Sequence, residues 1–163
     1  MTRSTVTIAL LSLLPVFALA APVTGEKQLV CGGAVLRAVS SYDADAGPDV
    51  IWTSQSLTLA QNGQSRPLPL ETGSKQGDGG LEAIVSAWGC FHGHGRAYIL
   101  LDYACTRDDF GGICAGQQEW SRLLSPDGKR LDAGYAPQDP RYMALYAKLG
   151  FGPQGLQLTG ATP

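Results

Sequence analysis

Hydrophobic and polar residues alternate along much of the chain after residue 20, in short segments interrupted by glycine, proline, asparagine or aspartate. Alternation of this kind places successive side chains on opposite faces of a β-strand. We identify it in six segments: 33–40, 50–59, 81–91, 97–105, 119–124 and 130–135. The pattern predicts a mainly β fold, an antiparallel meander of at least six strands that forms an open sandwich or a small barrel.

Turn residues refine this strand pattern. Asn62-Gly63 predicts a hairpin after 50–59, and the return at 67–70 contains two prolines, which restrict it to an edge strand or extended coil. The segment 28–41 is ambiguous, but Gly32-Gly33 would cost a helix about 2 kcal/mol, so we favour a strand over 33–40. In 81–91, strict alternation places four residues on one face: Ile84, Ser86, Trp88 and Cys90.

One helix is predicted near the C-terminus, over about 139–150. Asp139 is the expected N-cap, Pro140 the first helical residue and Gly150 the residue that ends the helix. Four apolar residues recur at i, i+3, i+4 and i+7 on one face: Tyr142, Leu145, Tyr146 and Leu149. We expect this face to pack on the sheet or to close one end of a barrel, and residues 159–163 to form a frayed tail.

The first twenty residues have the order of a Sec export signal. Arg3 supplies the positive start, the run 6–20 is apolar, and Ala18-Leu19-Ala20 is a cleavage site. The run is shorter than the roughly 20 residues that cross a bilayer, and Pro15 interrupts it. We therefore expect residues 1–20 to be a cleaved signal peptide and 21–163 to form a single domain, periplasmic or secreted, without a membrane span.

Composition and net charge indicate the kind of fold and exclude one class of binding partner. The 163 residues include 21 glycines and 10 prolines, and only 16% are charged, against about 25% in a typical domain. These values favour many turns and few long helices. Removal of Arg3 with the signal leaves 11 basic against 14 acidic residues, a net charge near −3. A nucleic-acid-binding protein would carry a basic patch, so we expect no nucleic-acid partner.

All four cysteines lie after the signal, in a chain predicted to enter an oxidising compartment, so we expect two structural disulfides. Cys105 ends one predicted strand, and Cys114 begins a segment that can pair with that end after a polar turn. This favours Cys105–Cys114, which leaves Cys31–Cys90 as the long-range bridge. A C-x-x-C pair, which a zinc knuckle or a thioredoxin-like centre would need, does not occur in the sequence.

Catalytic motifs are missing from the sequence. It contains no G-x-S-x-G, S-x-x-K or H-E-x-x-H, and no glycine-rich nucleotide loop, so we expect neither an enzyme nor a cofactor. Paired carboxylates of a small hydrolase stay an alternative, although no glutamate of the mature chain falls in a recognisable context: Glu26, Glu71, Glu82 and Glu119.

Two short segments are candidates for binding a metal. His92 and His94, both assigned to a hairpin turn, could reach one metal ion, with Asp102, Asp108 or Asp109 as further ligands if the turns converge. A plain exposed turn explains the two histidines as well, so no metal site is assigned. The segment 43–49 begins like a calcium loop but departs from that pattern, which leaves a turn or an acidic loop contacting a basic partner.

The loop that Cys105–Cys114 would close is the candidate interaction site. It presents four residues suited to contact a partner: Arg107, Asp108, Asp109 and Phe110. A constrained loop loses little conformational entropy on binding. We therefore expect an inhibitor or immunity protein that neutralises another protein of the cell envelope, either a toxin or a hydrolase. A module that binds glycans or small ligands through Trp52, Trp88 or Trp120 is the alternative.

Overall fold

The computed structural model describes residues 21–44, 50–73, 80–106, 112–133, 135–136, 139–151 and 157–163. The predicted signal peptide lies outside these residues. Within them, two antiparallel sheets face each other. The first sheet has the order β1-β2-β3-β4, with β1 Val23–Cys31, β2 Ala34–Asp43, β3 Ile51–Gln61 and β4 Gln64–Leu68. The second has the order β7-β6-β5-β8, with β5 Ala83–Gly93, β6 Arg96–Cys105, β7 Glu119–Leu124 and β8 Thr159–Gly160.

These two sheets confirm the predicted mainly β class. The helix α1, Arg141–Lys148, follows near the C-terminus, as predicted. The N-cap is Pro140, one residue later than predicted, and the helix begins at Arg141, whose backbone N–H donates to the Asp139 carboxylate at 2.9 Å. Gly150 ends it in the left-handed conformation with φ +79°. The described ranges contain no helix with the length and hydrophobicity that a membrane span requires.

The main core lies between the two sheets. Leu36 and Leu57 from the first sheet meet Trp88, Ile99 and Tyr103 from the second, and none of these residues is more than 2% exposed. A second apolar cluster covers the outer face of the second sheet. There, α1 packs its apolar stripe against three strand residues: Tyr98, Leu100 and Leu123. The helix therefore lies on a sheet, which was one of the two arrangements expected from its amphipathic pattern.

Three two-residue turns lie at one end of the structure, which we call the hairpin end. They are Gly32-Gly33, Asn62-Gly63 and His94-Gly95, and each has positive φ at both residues, as a type I′ hairpin turn requires. The opposite end carries the connections from β2 to β3, from β4 to β5 and from β6 to β7, and is called the loop end. Gly32-Gly33 resolves the ambiguous segment 28–41, because it separates β1 from β2. Strand β1 was not predicted.

Both predicted disulfides are present. Cys31–Cys90 links β1 of the first sheet to β5 of the second, with its Cα atoms 5.3 Å apart. Cys105–Cys114 links the end of β6 to a 3₁₀ turn, Gly112–Cys114, with its Cα atoms 6.1 Å apart. The pairing was predicted correctly, but Cys114 is not in a strand, since β7 begins only at Glu119.

The strict alternation predicted for 81–91 is wrong because β5 contains a bulge. Its register to β6 shifts between Val85 and Ala87, so Ala83 and Val85 join Trp88 and Cys90 on the core side. The cause lies in the other sheet. The Gln55 side chain of β3 accepts from the Val85 N–H at 2.7 Å and donates to the Val85 carbonyl at 3.0 Å. This amide takes the place of a neighbouring strand at the bulge.

Two predictions for the C-terminal third are also wrong. Of the segment 130–135, the described residues 130–133 and 135 form no strand, and Arg130 pairs with Leu124 as an isolated bridge. Residues 159–163 are not a frayed tail, because β8 pairs with β5 and Ala161 is fully buried. Local sequence gave no sign of this, since the partner strand lies about 70 residues earlier.

Candidate functional site

At the loop end, hydrogen bonds join the connections from β2 to β3, from β4 to β5 and from β6 to β7. The Leu81 N–H donates to the Trp52 carbonyl at 2.7 Å, and the Ala83 N–H donates to the Thr72 carbonyl at 3.0 Å. The first bond joins the described flanks of the segments 45–49 and 74–79, and the second closes the segment 74–79; a bond from the Thr106 N–H to the Glu82 carbonyl adds the flank of the segment 107–111. The predicted contact residues belong to the last segment and lie outside the described residues: Arg107, Asp108, Asp109 and Phe110.

The base of the disulfide-closed loop is fixed on its first side by Thr106. Its N–H donates to the Glu82 carbonyl at 2.9 Å, and its hydroxyl donates to the Leu81 carbonyl at 2.7 Å. The preceding Cys105 N–H bonds to the Gln118 carbonyl at 2.8 Å. The first flank of the loop is therefore held to β5 and to the segment before β7.

The Glu82 carboxylate fixes the second side. Its Oε2 accepts from the Ile113 N–H at 2.9 Å. Gly73 and Gly112 pack against the same carboxylate with positive φ, and a Cβ at either position would lie within 2.5 Å of a carboxylate oxygen. Glycine is therefore required at both positions. Sequence reasoning considered Glu82 only as a possible catalytic acid, and no local pattern connects it to Ile113.

An aromatic pair lies next to this base. Tyr42 and Trp52 contact each other with ring centroids 5.1 Å apart, and both are half-buried. The other two tryptophans predicted as stacking platforms are buried: Trp88 is 1% exposed and Trp120 is 3% exposed. Of the three, only Trp52 therefore offers surface to a ligand.

Glu71 is bound between two arginines at the edge of the sandwich. Its carboxylate pairs with Arg122 Nη2 at 2.9 Å and with Arg130 Nη1 at 2.5 Å. Burial would raise the pKa of Glu71, but the hydrogen bonds and charge of Arg122, together with the charge of Arg130, outweigh burial and lower it. Beside them, burial raises the pKa of Tyr103 to about 12.

Asp132 completes this group on the other side of Arg130. It is fully buried and accepts from the Tyr142 hydroxyl at 2.6 Å, the Arg130 Nε at 2.8 Å and the Leu123 N–H at 3.1 Å. Tyr142 also accepts from Arg122 at 2.7 Å, so the helix is tied to β7. We call Glu71, Arg122, Arg130, Asp132 and Tyr142 the ion-pair network. No buried side-chain nitrogen or oxygen of the described residues lacks a partner.

The four glutamates considered as catalytic carboxylates of a hydrolase lie in four different environments. Glu26 pairs with Arg37 on the first sheet, Glu71 belongs to the ion-pair network and Glu82 binds the Ile113 N–H. Glu119 is exposed at the start of β7. Three of the four carboxylates are therefore occupied by bonds that stabilise the fold.

The two histidines are placed differently from the prediction. His94 is in the turn, but His92 belongs to β5, where it is exposed opposite Ala97. Asp102 lies five residues along β6 from Ala97, about 17 Å in an extended strand, and accepts from the Ser121 hydroxyl. It therefore does not converge with the histidines. Within the described ranges, no three His, Cys, Asp or Glu side chains are grouped to hold a metal ion.

Comparisons with known proteins do not identify a family. No protein-family model matches the chain, and no curated protein or solved structure matched it. The function therefore has to be inferred from the residues and their arrangement.

The loop base provides a first test. Glu82→Ala should leave the Ile113 N–H without its acceptor, lower the free energy of unfolding by about 1–2 kcal/mol, and speed hydrogen exchange at that amide. Glu119→Ala removes an exposed carboxylate near the same end and should change stability by less than about 0.5 kcal/mol. Unchanged exchange at Ile113 in the Glu82 variant would contradict the assigned role.

The ion-pair network provides a second test, through pH. The folded-state pKa of Glu71 is below its unfolded value, so its contribution to stability is present above about pH 4.5 and is lost as the pH falls through the folded pKa. Glu71→Gln should lower the free energy of unfolding by roughly 1–3 kcal/mol at pH 7 and flatten its decrease with acid. Urea unfolding at several pH values from 7 to 3 measures the free energy of unfolding and its dependence on pH. If that free energy fell equally steeply with pH in the variant and the parent, Glu71 would not be responsible for the pH dependence.

Proposed function

We propose that the protein is an exported, non-enzymatic domain that binds and neutralises another protein of the cell envelope, a toxin or a hydrolase. The observation that carries this proposal is the anchored base of the loop closed by Cys105–Cys114. Thr106 holds one side of that base and Glu82 holds the other. The signal-like residues 1–20 and the two disulfides fit an oxidising compartment outside the cytoplasm.

A fixed base favours tight binding for an entropic reason. Ordering a mobile segment on binding opposes association, so a loop with closed and bonded ends loses less conformational freedom. The disulfide and the bonds of Thr106 and Glu82 restrict both ends before a partner arrives. On this proposal Arg107, Asp108, Asp109 and Phe110 make the contacts, with the aromatic ring filling an apolar pocket of the partner.

The charge of the loop end indicates the charge that the partner's surface should carry. The three segments joined at the loop end contain five aspartates in the sequence, against only Lys75 and Arg107: Asp45, Asp49, Asp78, Asp108 and Asp109. The described flanks add Glu82 and the exposed Glu119. An excess of negative charge at one end favours association with a basic surface, and such association is faster at low salt. The partner is therefore expected to present a basic surface, such as a positively charged active-site cleft.

Two alternative functions have less support. A glycan-binding module needs exposed aromatic platforms, and only half-buried Trp52 is available among the three tryptophans. A small hydrolase needs two carboxylates that are free to act together, whereas Glu26, Glu71 and Glu82 are each bound to another group.

The proposal is tested by capturing the partner and weakening the loop. The tagged protein should retain one stoichiometric protein from envelope extract and reduce that protein's activity. Asp109→Ala with Phe110→Ala should weaken the complex at least about tenfold, because truncating an aromatic anchor at an interface costs roughly 2 kcal/mol or more. Affinity is measured by calorimetry with the purified partner.

A matched control is available at the other end of the sandwich. Gln64→Ala with Ser65→Ala truncates two exposed residues of edge strand β4 and should leave the affinity unchanged. If the loop variant bound as tightly as the parent, the loop would not be the binding surface. If the captured protein's activity were unaffected by the complex, the neutralising role would be refuted.

A further inference from the structure

A groove of about 560 Å³ lies at the hairpin end, and the protein-binding proposal does not involve it. Four separate parts of the chain line it: the β1–β2 turn, the β5–β6 hairpin, the turn after β7, and the segment around α1. Its apolar wall contains Tyr98, Leu131 and Leu149 from the cluster beneath the helix, together with Pro126. Small-molecule sites have volumes of about 300–1,000 Å³, so the groove is large enough for one.

The walls of the groove are held in place without a ligand. Cys31–Cys90 joins the two sheets immediately beside the lining residues Gly32 and His92. The turn after β7 is closed by a bond from the Ser125 N–H to the Lys129 carbonyl at 2.9 Å. At Gly93, a Cβ would lie 1.8 Å from the Leu149 carbonyl oxygen, so the end of the helix is in close contact with the hairpin. A site formed in advance loses little free energy to ordering when it binds.

The polar groups of the groove are cationic or neutral. Arg96 is exposed and lines the groove, and it forms no hydrogen bond or ion pair with any described residue. His92 also lines it and is likewise without such a bond to the described part of the chain. None of the described residues that line the groove carries a carboxylate. The nearest acidic residue along the lining turn, Asp127, is hydrogen-bonded to Ser125.

An unpaired arginine beside an apolar wall selects one class of ligand. A guanidinium binds a carboxylate through two parallel hydrogen bonds, and the hydrophobic effect favours placing a hydrocarbon body against leucine, proline and tyrosine side chains. We propose that this groove binds a small amphipathic carboxylate, with the carboxylate at Arg96 and the hydrocarbon chain along Leu131 and Leu149. An ammonium head group on the same chain would be repelled by Arg96.

This site is independent of the proposed protein-binding function. The groove is at the hairpin end, whereas the anchored loop base is at the loop end. Failure of ligand binding would leave the neutralising role unaffected, and failure of partner capture would leave the groove unaffected.

Decanoate is the probe, used below its micelle concentration with the folded, disulfide-bonded protein. Amide chemical shifts in an NMR titration should give a single site with Kd below about 1 mM, with the largest changes at Gly95, Leu131 and Leu149. Decylammonium, which has the same chain length and the opposite charge, should not saturate the site. Arg96→Gln should weaken decanoate binding about tenfold or more. Lys27→Gln removes an equal charge from exposed β1 and should have no effect.

Four outcomes would overturn the proposal. The first is that decanoate leaves the shifts unchanged, and the second is that decylammonium binds as tightly as decanoate. The third is parental affinity in Arg96→Gln, with the variant folded as judged by its amide spectrum. The fourth is sedimentation of the protein with vesicles that contain phosphatidylglycerol, without binding of free decanoate, which would make the groove a membrane contact instead of a site for a free carboxylate.

Discussion

The covalent link between the two sheets at the hairpin end is the constraint on which the rest of the structure depends. Cys31–Cys90 joins β1 to β5 next to the tight turns, so the sheets are held together where their connections are shortest. With that end closed, the buried residues between the sheets stay aligned along their whole length. The β2–β3, β4–β5 and β6–β7 connections are left to the opposite end. A rigid scaffold with its variable loops at one end is a common arrangement in proteins that bind other proteins.

The ion-pair network is the second set of contacts that holds distant parts of the chain together. Arg122 is almost fully buried, and bonds to Glu71, Tyr142 and the Ser121 carbonyl offset the desolvation of its charge. Through these bonds the network joins the connection after β4, the edge strand β7 and the helix. Removing Glu71 would leave the buried Arg122 without an ion-pair partner, and removing Arg130 would do the same to the buried Asp132. We therefore interpret these charges as structural and look for function in the loop end and in the groove.

The sequence was informative where the determining contacts are local or are set by alternation. The helix, the Asn62-Gly63 hairpin and both disulfide pairings follow from spacing along the chain, and the structure confirms them. The sequence was not informative where the local structure depends on a residue far away along the chain. The bulge in β5 depends on the Gln55 amide of the other sheet, and the buried C-terminal residues depend on a strand about 70 positions earlier. The same reason explains why the role of Glu82 was missed. Its partner, Ile113, is 31 residues away and presents only a backbone N–H.

We propose the loop end as the surface that contacts another protein. Hydrogen–deuterium exchange, measured with and without the captured envelope partner, tests it most directly because each amide reports its own environment. We expect slower exchange in the complex at residues 106–114 and at Trp52, with little change at the hairpin-end turns. Protection confined to the exposed face of the first sheet or to the hairpin end, with residues 106–114 unchanged, would contradict it.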